Sequence, residues 1–283
     1  SNLERTGAVD FALSRDDACR TARRFPGMFD KVLVDAPCSG EGMIKKHDLA
    51  LTEWSEANIR ICAARQADIL DAAYEALACG GVMVYSTCTY AREENEDQVR
   101  AFLQRHPDMT QEPIHKPYGR PDFDQAGGLR IFPMDGGEGQ FAARLRKAGD
   151  PEDRREPSRE KTVRLTALEQ AFLQDMQVSF PYYYREKTRL YGMNQPFLKG
   201  TWKRQGVFIG ETVKTRFEPA HAFFMAADCA RKAELDDAQL DAFLHGQELA
   251  YPMEKGYVQV TWHGQPMGFA KSTGKVLKNK LPK

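Results

Sequence analysis

Two short apolar runs, Lys31-Val32-Leu33-Val34 and Val82-Met83-Val84-Tyr85-Ser86, limit what this chain can fold into more than any other feature. Each has the length of a buried strand, and each stops at a polar turn, the first at Asp35 and the second at Thr87. Between them, Trp54, Ile59, Cys62, Ala63, Ile69, Leu70, Ala73 and Leu77 recur at helical spacing. That periodicity predicts one long helix, stopped by Gly80-Gly81. A further helix is expected from about Glu93 to Arg105, ending before Pro107. Strand, helix, strand, helix in this order predicts an α/β domain, a doubly wound parallel sheet with helices on both faces.

Past this domain the composition changes. Residues 148–164 carry Gly, Pro and many charges with almost nothing apolar, which predicts a linker. Leu165 to Met176 has the pattern of a short amphipathic helix, and Ala220 to Arg231 and Asp237 to Leu244 predict a helical pair. Short apolar or aromatic runs punctuated by Gly and Pro surround them, ending in Gly256 to Trp262 and Pro266 to Ala270, the signature of a small β barrel. The expected domains are therefore 1–147, a linker at 148–164, then 165–222 and 223–283.

The charges balance, with 40 basic and 40 acidic side chains, so any nucleic-acid reader here must concentrate its positive charge locally. No stretch approaches the roughly 20 apolar residues of a membrane span. Six scattered cysteines without a Cys-x-x-Cys pair argue against a zinc cage or a disulfide framework, and for reduced thiols in the cytoplasm. No metal site is expected.

The chemistry concentrates where the two strands end. Asp35-Ala36-Pro37-Cys38-Ser39-Gly40 follows the first and Ser86-Thr87-Cys88-Thr89 ends the second. Ligands of open parallel sheets sit beyond the carboxyl ends of the strands, so both thiols and the Asp35 carboxylate are expected in one crevice. Cytosine C5 suits such a pair. A thiolate adding at C6 turns C5 into an enamine-like carbon able to attack an electrophilic methyl group, and a second thiol can assist release. Asp35 can hydrogen-bond the base edge at N3 or N4. Cys19, Cys62, Cys79 and Cys229 read as small buried hydrophobes.

These residues resemble the Sun-type, nucleolar-protein-like RNA cytosine-C5 methyltransferases, in their bacterial RsmF-like branch. The resemblance rests on Asp35 to Met43, Glu53-Trp54-Ser55, Ala64-Arg65-Gln66, Tyr85 to Tyr90, Glu93-Glu94-Asn95-Glu96, Gly128 to Pro133 and Phe141 to Leu145. It implies Cys88 as nucleophile and Cys38 as the residue that helps break the covalent adduct. It also implies S-adenosylmethionine as cofactor, with Asp35 and Pro37 beside it and Asp17 helping to hold it; Asp16 is the alternative one residue away. DNA cytosine methyltransferases use the cysteine of a Pro-Cys pair instead, which would select Cys38, but the Thr-Cys-Thr context favours Cys88. The family's Gly-rich loop and the acid that follows it are not found in this chain, so the resemblance implies part of a longer protein with weak or absent cofactor binding of its own.

The partner implied is RNA, ribosomal first and transfer RNA second, acted on by a monomer. A non-catalytic RNA-binding protein on the same fold is the rival reading. The last domain resembles a PUA-type RNA-binding barrel. Lys271, Lys275, Lys278, Lys280 and Lys283 fall together with no acid among them, which suits phosphate contacts. Tyr182 to Tyr191 form a second basic and aromatic region, and Lys45 and Lys46 are expected to touch RNA near the target base.

Overall fold

The computed structural model describes residues 2–44, 54–153 and 155–282. They form two compact units, Asp16–Pro157 and a second made of Ser1–Arg15 with Ser158–Lys283. No helix among the described residues is long and apolar enough to cross a membrane.

In the first unit the apolar run around Val34 becomes β1 (Phe29–Asp35) and the run around Val84 becomes β2 (Leu77–Thr87), joined by α2 (Glu56–Ala76) after a short α1 (Ala18–Arg23). β1 and β2 pair in parallel, with Asp35 opposite Ser86. The rest of the sheet departs from the all-parallel expectation. β3 (Met109–Glu112), β4 (Arg120–Pro121), β5 (Leu129–Ile131) and β6 (Gln140–Lys147) pair only antiparallel. The order is β1-β2-β6-β5-β4, and β3 shares the edge of β6 with β5. β6 alternates strictly, burying Phe141, Ala143 and Leu145, so it inserts beside β2 with one face on the core. Leu70, Leu77, Met83, Tyr85 and Phe102 complete that core.

The long helix ends earlier than its periodicity predicts. Ser55 caps its start by accepting from the Asn58 amide at 3.1 Å, and Leu77 already has extended backbone. Gly80 and Gly81 therefore lie inside β2. Gly80 has φ +69°, and a Cβ there would meet the Pro151 ring at 2.8 Å, so the pair serves a kink in the strand. The next helix, α3 (Glu96–Arg105), follows a short 3-10 turn at Arg92–Glu94. Arg130, fully buried, forks onto Glu96 with Nε to Oε1 at 2.7 Å and Nη2 to Oε2 at 2.6 Å.

Residues 2–15, expected in the first domain, pack instead in the second unit. Ala12–Leu13 pairs with Arg204–Gln205, Asp10 accepts from the Asn194 amide at 2.7 Å, and Glu4 pairs with Arg204. The end of the expected linker also belongs there: Glu160 N–H donates to the Phe197 carbonyl at 2.7 Å and Val163 N–H to Tyr183 at 3.0 Å. A four-stranded antiparallel sheet runs in the order Arg216–Pro219, Val207–Val213, Arg189–Met193, Tyr182–Glu186. A five-stranded sheet follows, ordered Lys232–Glu234, Gly256–Trp262, Gln265–Ser272, Val276–Asn279, Leu249–Ala250. Phe224 stacks on Phe269 at 4.5 Å and joins Phe172 and Phe223 in one core, so the boundary expected at 222–223 crosses continuous packing.

Removing one partner of a buried ion pair leaves the other charge unpaired out of water. Arg130→Ala is expected to destabilise the first unit by about 3 kcal/mol, read as a lower urea midpoint for the loss of its tertiary signal.

Candidate active site

The parallel register decides where the thiols go. Because Asp35 lies opposite Ser86, the chain leaves both strands at one level, and Ala36 N–H donates to the Ser86 carbonyl at 3.0 Å. The two cysteine loops then run side by side. Cys38 Sγ and Cys88 Sγ are 3.0 Å apart, and the Cys88 amide donates to Cys38 Sγ at 3.3 Å. Both thiols are half-buried. Asp35 is exposed at the strand end, its Oδ1 accepting from Ser86 Oγ at 3.2 Å. Pro37 is exposed beside it.

The loops are stitched across. Gly42 N–H donates to the Cys88 carbonyl at 2.9 Å. A Cβ at Gly42 would lie 2.4 Å from the carbonyl oxygens of both Glu138 and Gly139, so only glycine lets the loops approach. Glu41 Oε2 accepts from Thr89 Oγ1 at 2.9 Å and from the Tyr90 amide at 2.8 Å, and its Oε1 accepts from Trp54 Nε1 at 2.7 Å.

Beneath lie three consecutive buried polar residues, Glu94, Asn95 and Glu96, each turned to a different segment. Glu94, fully buried, accepts from the Ser39 amide at 3.1 Å and from Gln66 Nε2 at 2.7 Å, while the same Gln66 nitrogen donates to the Pro37 carbonyl at 3.0 Å. Asn95 donates to the Thr89 carbonyl at 3.0 Å and accepts from Thr87 Oγ1. Glu96 holds Arg130, whose Nη1 donates to the Tyr90 carbonyl at 3.2 Å. These holding residues were not foreseen as part of the site. The run Glu93 to Glu96 entered the family resemblance, but only the arrival of the loops shows what each side chain does.

Electrostatics separates the two thiols. With Cys38 as the donor in the hydrogen bond between the sulfurs, the Cys88 thiol is pulled down to about 7, against burial and the negative charges of Asp35 and Glu94. Cys38 moves the other way, held far above the ordinary thiol range by its bond to the Cys88 sulfur and then by burial; the Cys88 amide offsets this only in part. At neutral pH a substantial fraction of Cys88 is thus thiolate, with Cys38 the proton donor.

Asp17 is the N-cap of α1, where its carboxylate accepts from the Arg20 amide at 3.0 Å, and Asp16 pairs with Arg24 at 2.9 Å. Lys45 and Lys46 lie outside the described residues. Cys229 is buried as expected, whereas Cys19, Cys62 and Cys79 are only half-buried. In the second unit Lys271, Lys275 and Lys278 are exposed. Lys271 faces Lys278 across paired strands, a like-charge pair that costs stability unless an anion sits on it. In the tyrosine region Tyr191 is buried, Tyr182 and Tyr183 are half-buried and Tyr184 is exposed, while Arg185 pairs with Glu169 and Arg189 with Glu211. Among the described residues no cluster of His, Cys, Asp or Glu is placed to hold a metal ion.

Residues 1–146 match the 16S rRNA methyltransferase RsmB/F family, and residues 230–283 match the methyltransferase RsmF PUA domain. The chain belongs to the RsmB/F methyltransferase family. The ribosomal RNA small subunit methyltransferase F of Shewanella amazonensis is 33% identical over 306 residues, which cover 100% of this chain and 65% of that protein. The protein of the same name from Serratia proteamaculans is 30% identical over 307 residues, covering 100% of this chain and 64% of its own length. This RsmB/F chain thus spans slightly less than two thirds of those relatives. Among solved structures it is similar to the crystal structure of NSun6 from Pyrococcus horikoshii with SFG, at 33% identity over 53% of this chain and 38% of that one, with a TM-score of 0.46.

A methyl donor fits this RsmB/F site on one side only. Asp35 and Pro37 stand at the carboxyl end of β1, where ligands of such sheets bind. Yet β1 pairs with β2 alone among the described strands, and Leu33 on it is 71% exposed. Among the described residues, β1 therefore has no strand on its outer side to help enclose a donor.

Two outcomes follow. Alkylation of Cys88 by iodoacetamide is expected to rise with pH through a midpoint of about 7, and Cys38→Ala to move that midpoint up to roughly 8.5; a native midpoint already at the higher value contradicts the assignment. Calorimetry of this chain with S-adenosylmethionine is expected to show a dissociation constant weaker than about 1 mM, and micromolar affinity contradicts the open donor side.

Proposed function

We propose that this chain carries the acceptor side of an RNA cytosine-C5 methyltransferase that uses S-adenosylmethionine and acts on ribosomal RNA. The observation that carries the proposal is the pair of sulfurs 3.0 Å apart at the ends of adjacent parallel strands, with Asp35 beside them. Membership of the RsmB/F family and the names of the relatives support ribosomal over transfer RNA. Six cysteines free of disulfides support a reducing cytoplasm. The protein is proposed to act there as a monomer.

In the proposed chemistry the target cytosine leaves its stack and enters the crevice. The Cys88 thiolate forms a bond to C6, and the C5–C6 π electrons move to C5, which becomes the nucleophile. Asp35 accepts a hydrogen bond from the base edge and orients the ring. S-adenosylmethionine, when bound, would supply the methyl group to C5. Water in the crevice then takes the C5 proton, the C5–H electrons restore the C5–C6 double bond, and the C6–sulfur bond breaks with its electron pair returning to Cys88. Cys38 assists there. Its S–H donates to the departing sulfur through the same hydrogen bond that lowers the Cys88 pKa, and a stabilised thiolate is a better leaving group. Asp17 is proposed to contact the cofactor, and Lys271, Lys275 and Lys278 to meet RNA phosphates, each phosphate contact adding salt dependence.

A pure RNA-binding protein has no use for a thiol held as a thiolate beside a thiol held as an acid, and that asymmetry favours the enzyme. In the full-length protein, Cys88→Ala is expected to abolish the covalent adduct with RNA, and Cys38→Ala to let it accumulate on denaturing gels. Reversed outcomes would exchange the two roles.

A further inference from the structure

Phe123 is 55% exposed, yet its backbone and its ring both meet buried charged groups near the site. Its amide donates to Glu96 Oε1 at 3.0 Å, and the buried Arg130 guanidinium lies 4.0 Å from its ring centre. Its loop is closed from within by Asp122, itself buried, which accepts from the Ala126 amide at 3.1 Å and from the Gly128 amide. On the far side, Asp124 takes ion pairs from Arg92 and Arg100. The guanidinium that holds Glu96 and the Tyr90 carbonyl thus also backs one face of this ring.

The ring also belongs to a series. Phe123 lies 6.3 Å from Phe132, and Phe132 stacks on Tyr90 at 5.8 Å with 5° between the planes. Tyr90 stands two residues from Cys88 in the same loop, and Arg130 holds its carbonyl. A continuous line of rings thus leads from the nucleophile's loop to an exposed, immobilised face.

We propose that Phe123, with Phe132 behind it, is a stacking platform for a nucleobase adjacent to the target cytosine in single-stranded RNA. The proposal rests on the catalytic reading above, because flipping a base out of its stack strips its neighbours of a partner, and a fixed aromatic face replaces it. The surrounding charges are nearly all paired, so the attraction is to a base's flat surface rather than to phosphate, and it tolerates any base. Lys271 and its neighbours, in the other unit, are left to provide the phosphate contacts.

The test uses this chain and a short single-stranded RNA with one 5-azacytosine flanked by adenines, an electron-poor ring that accepts a thiolate without a methyl donor. Phe123→Ala is expected to weaken binding about 10-fold by fluorescence anisotropy, with the chain still folded at the assay temperature and adduct formation reaching the native level once RNA saturates. Phe123→Trp should bind as the native chain does. Replacing the flanking adenines by abasic sites should erase the difference between native and Phe123→Ala chains. Equal affinity of the native and Phe123→Ala chains for the adenine-flanked RNA overturns the platform while leaving the catalytic reading intact. Binding that depends on Phe123 without any adduct at Cys88 overturns the catalytic reading, and RNA that does not bind at all contradicts both.

Discussion

The parallel pairing of β1 with β2 is the constraint on which the rest of this molecule depends. With Asp35 opposite Ser86, two loops separated by about fifty residues of sequence leave the sheet at one level and have no choice but to run together. A slip of one residue would send every side chain of a strand to the other face. The thiols would then part, and the hydrogen bond that makes one sulfur an anion and the other an acid would be lost. Gly42 is part of the same constraint, since any side chain there would collide with the Glu138 and Gly139 carbonyl oxygens and crowd the Cys88 carbonyl that its own amide holds.

Strand pairing brings the loops near; buried polar groups keep them there. Glu94, Asn95 and Glu96 lie out of water, where an unsatisfied polar group costs more than a hydrogen bond returns. Each is satisfied by a different segment: the Cys38 loop, the Cys88 loop, and the strand that carries Arg130. Releasing any one segment strands a buried donor or acceptor, so the three move as a unit. Charge near the thiols bears on the chemistry as well. Glu94 and Asp35 both oppose a thiolate at Cys88, and the bond from Cys38 outweighs them.

Much of this was legible in the residues. The runs at Lys31 and Val82 are short, apolar and bounded by polar turns, and both became strands, so the convergence of Asp35, Cys38 and Cys88 followed from the order of elements alone. What escaped was tertiary. Gly80-Gly81 looks like a helix stop because glycine usually ends a helix; here the backbone had already turned at Leu77, and Gly80 makes room for Pro151 while Gly81 makes room for Leu77 and Ala78. The alternation of Gln140 to Lys147 was present in the chain, but nothing local says that such a strand inserts antiparallel beside β2. Residues 2–15 are too short and polar to declare a partner, which turned out to be nearly two hundred residues away. Three polar residues in a row normally mean solvent, and Glu94 to Glu96 lose that meaning only when three segments arrive above them.

The most direct measurement of the central claim is disulfide mapping after brief oxidation of the native chain by diamide, which joins two thiols only where their sulfurs already meet. The account predicts a single dominant cross-linked peptide pair, containing Cys38 and Cys88, formed faster than any pair involving Cys19, Cys62, Cys79 or Cys229 and lost when the chain is first unfolded in urea. Native protein in which Cys38 and Cys88 stay separately alkylatable, or pair with other cysteines first, would contradict the claim that the two sulfurs share one crevice.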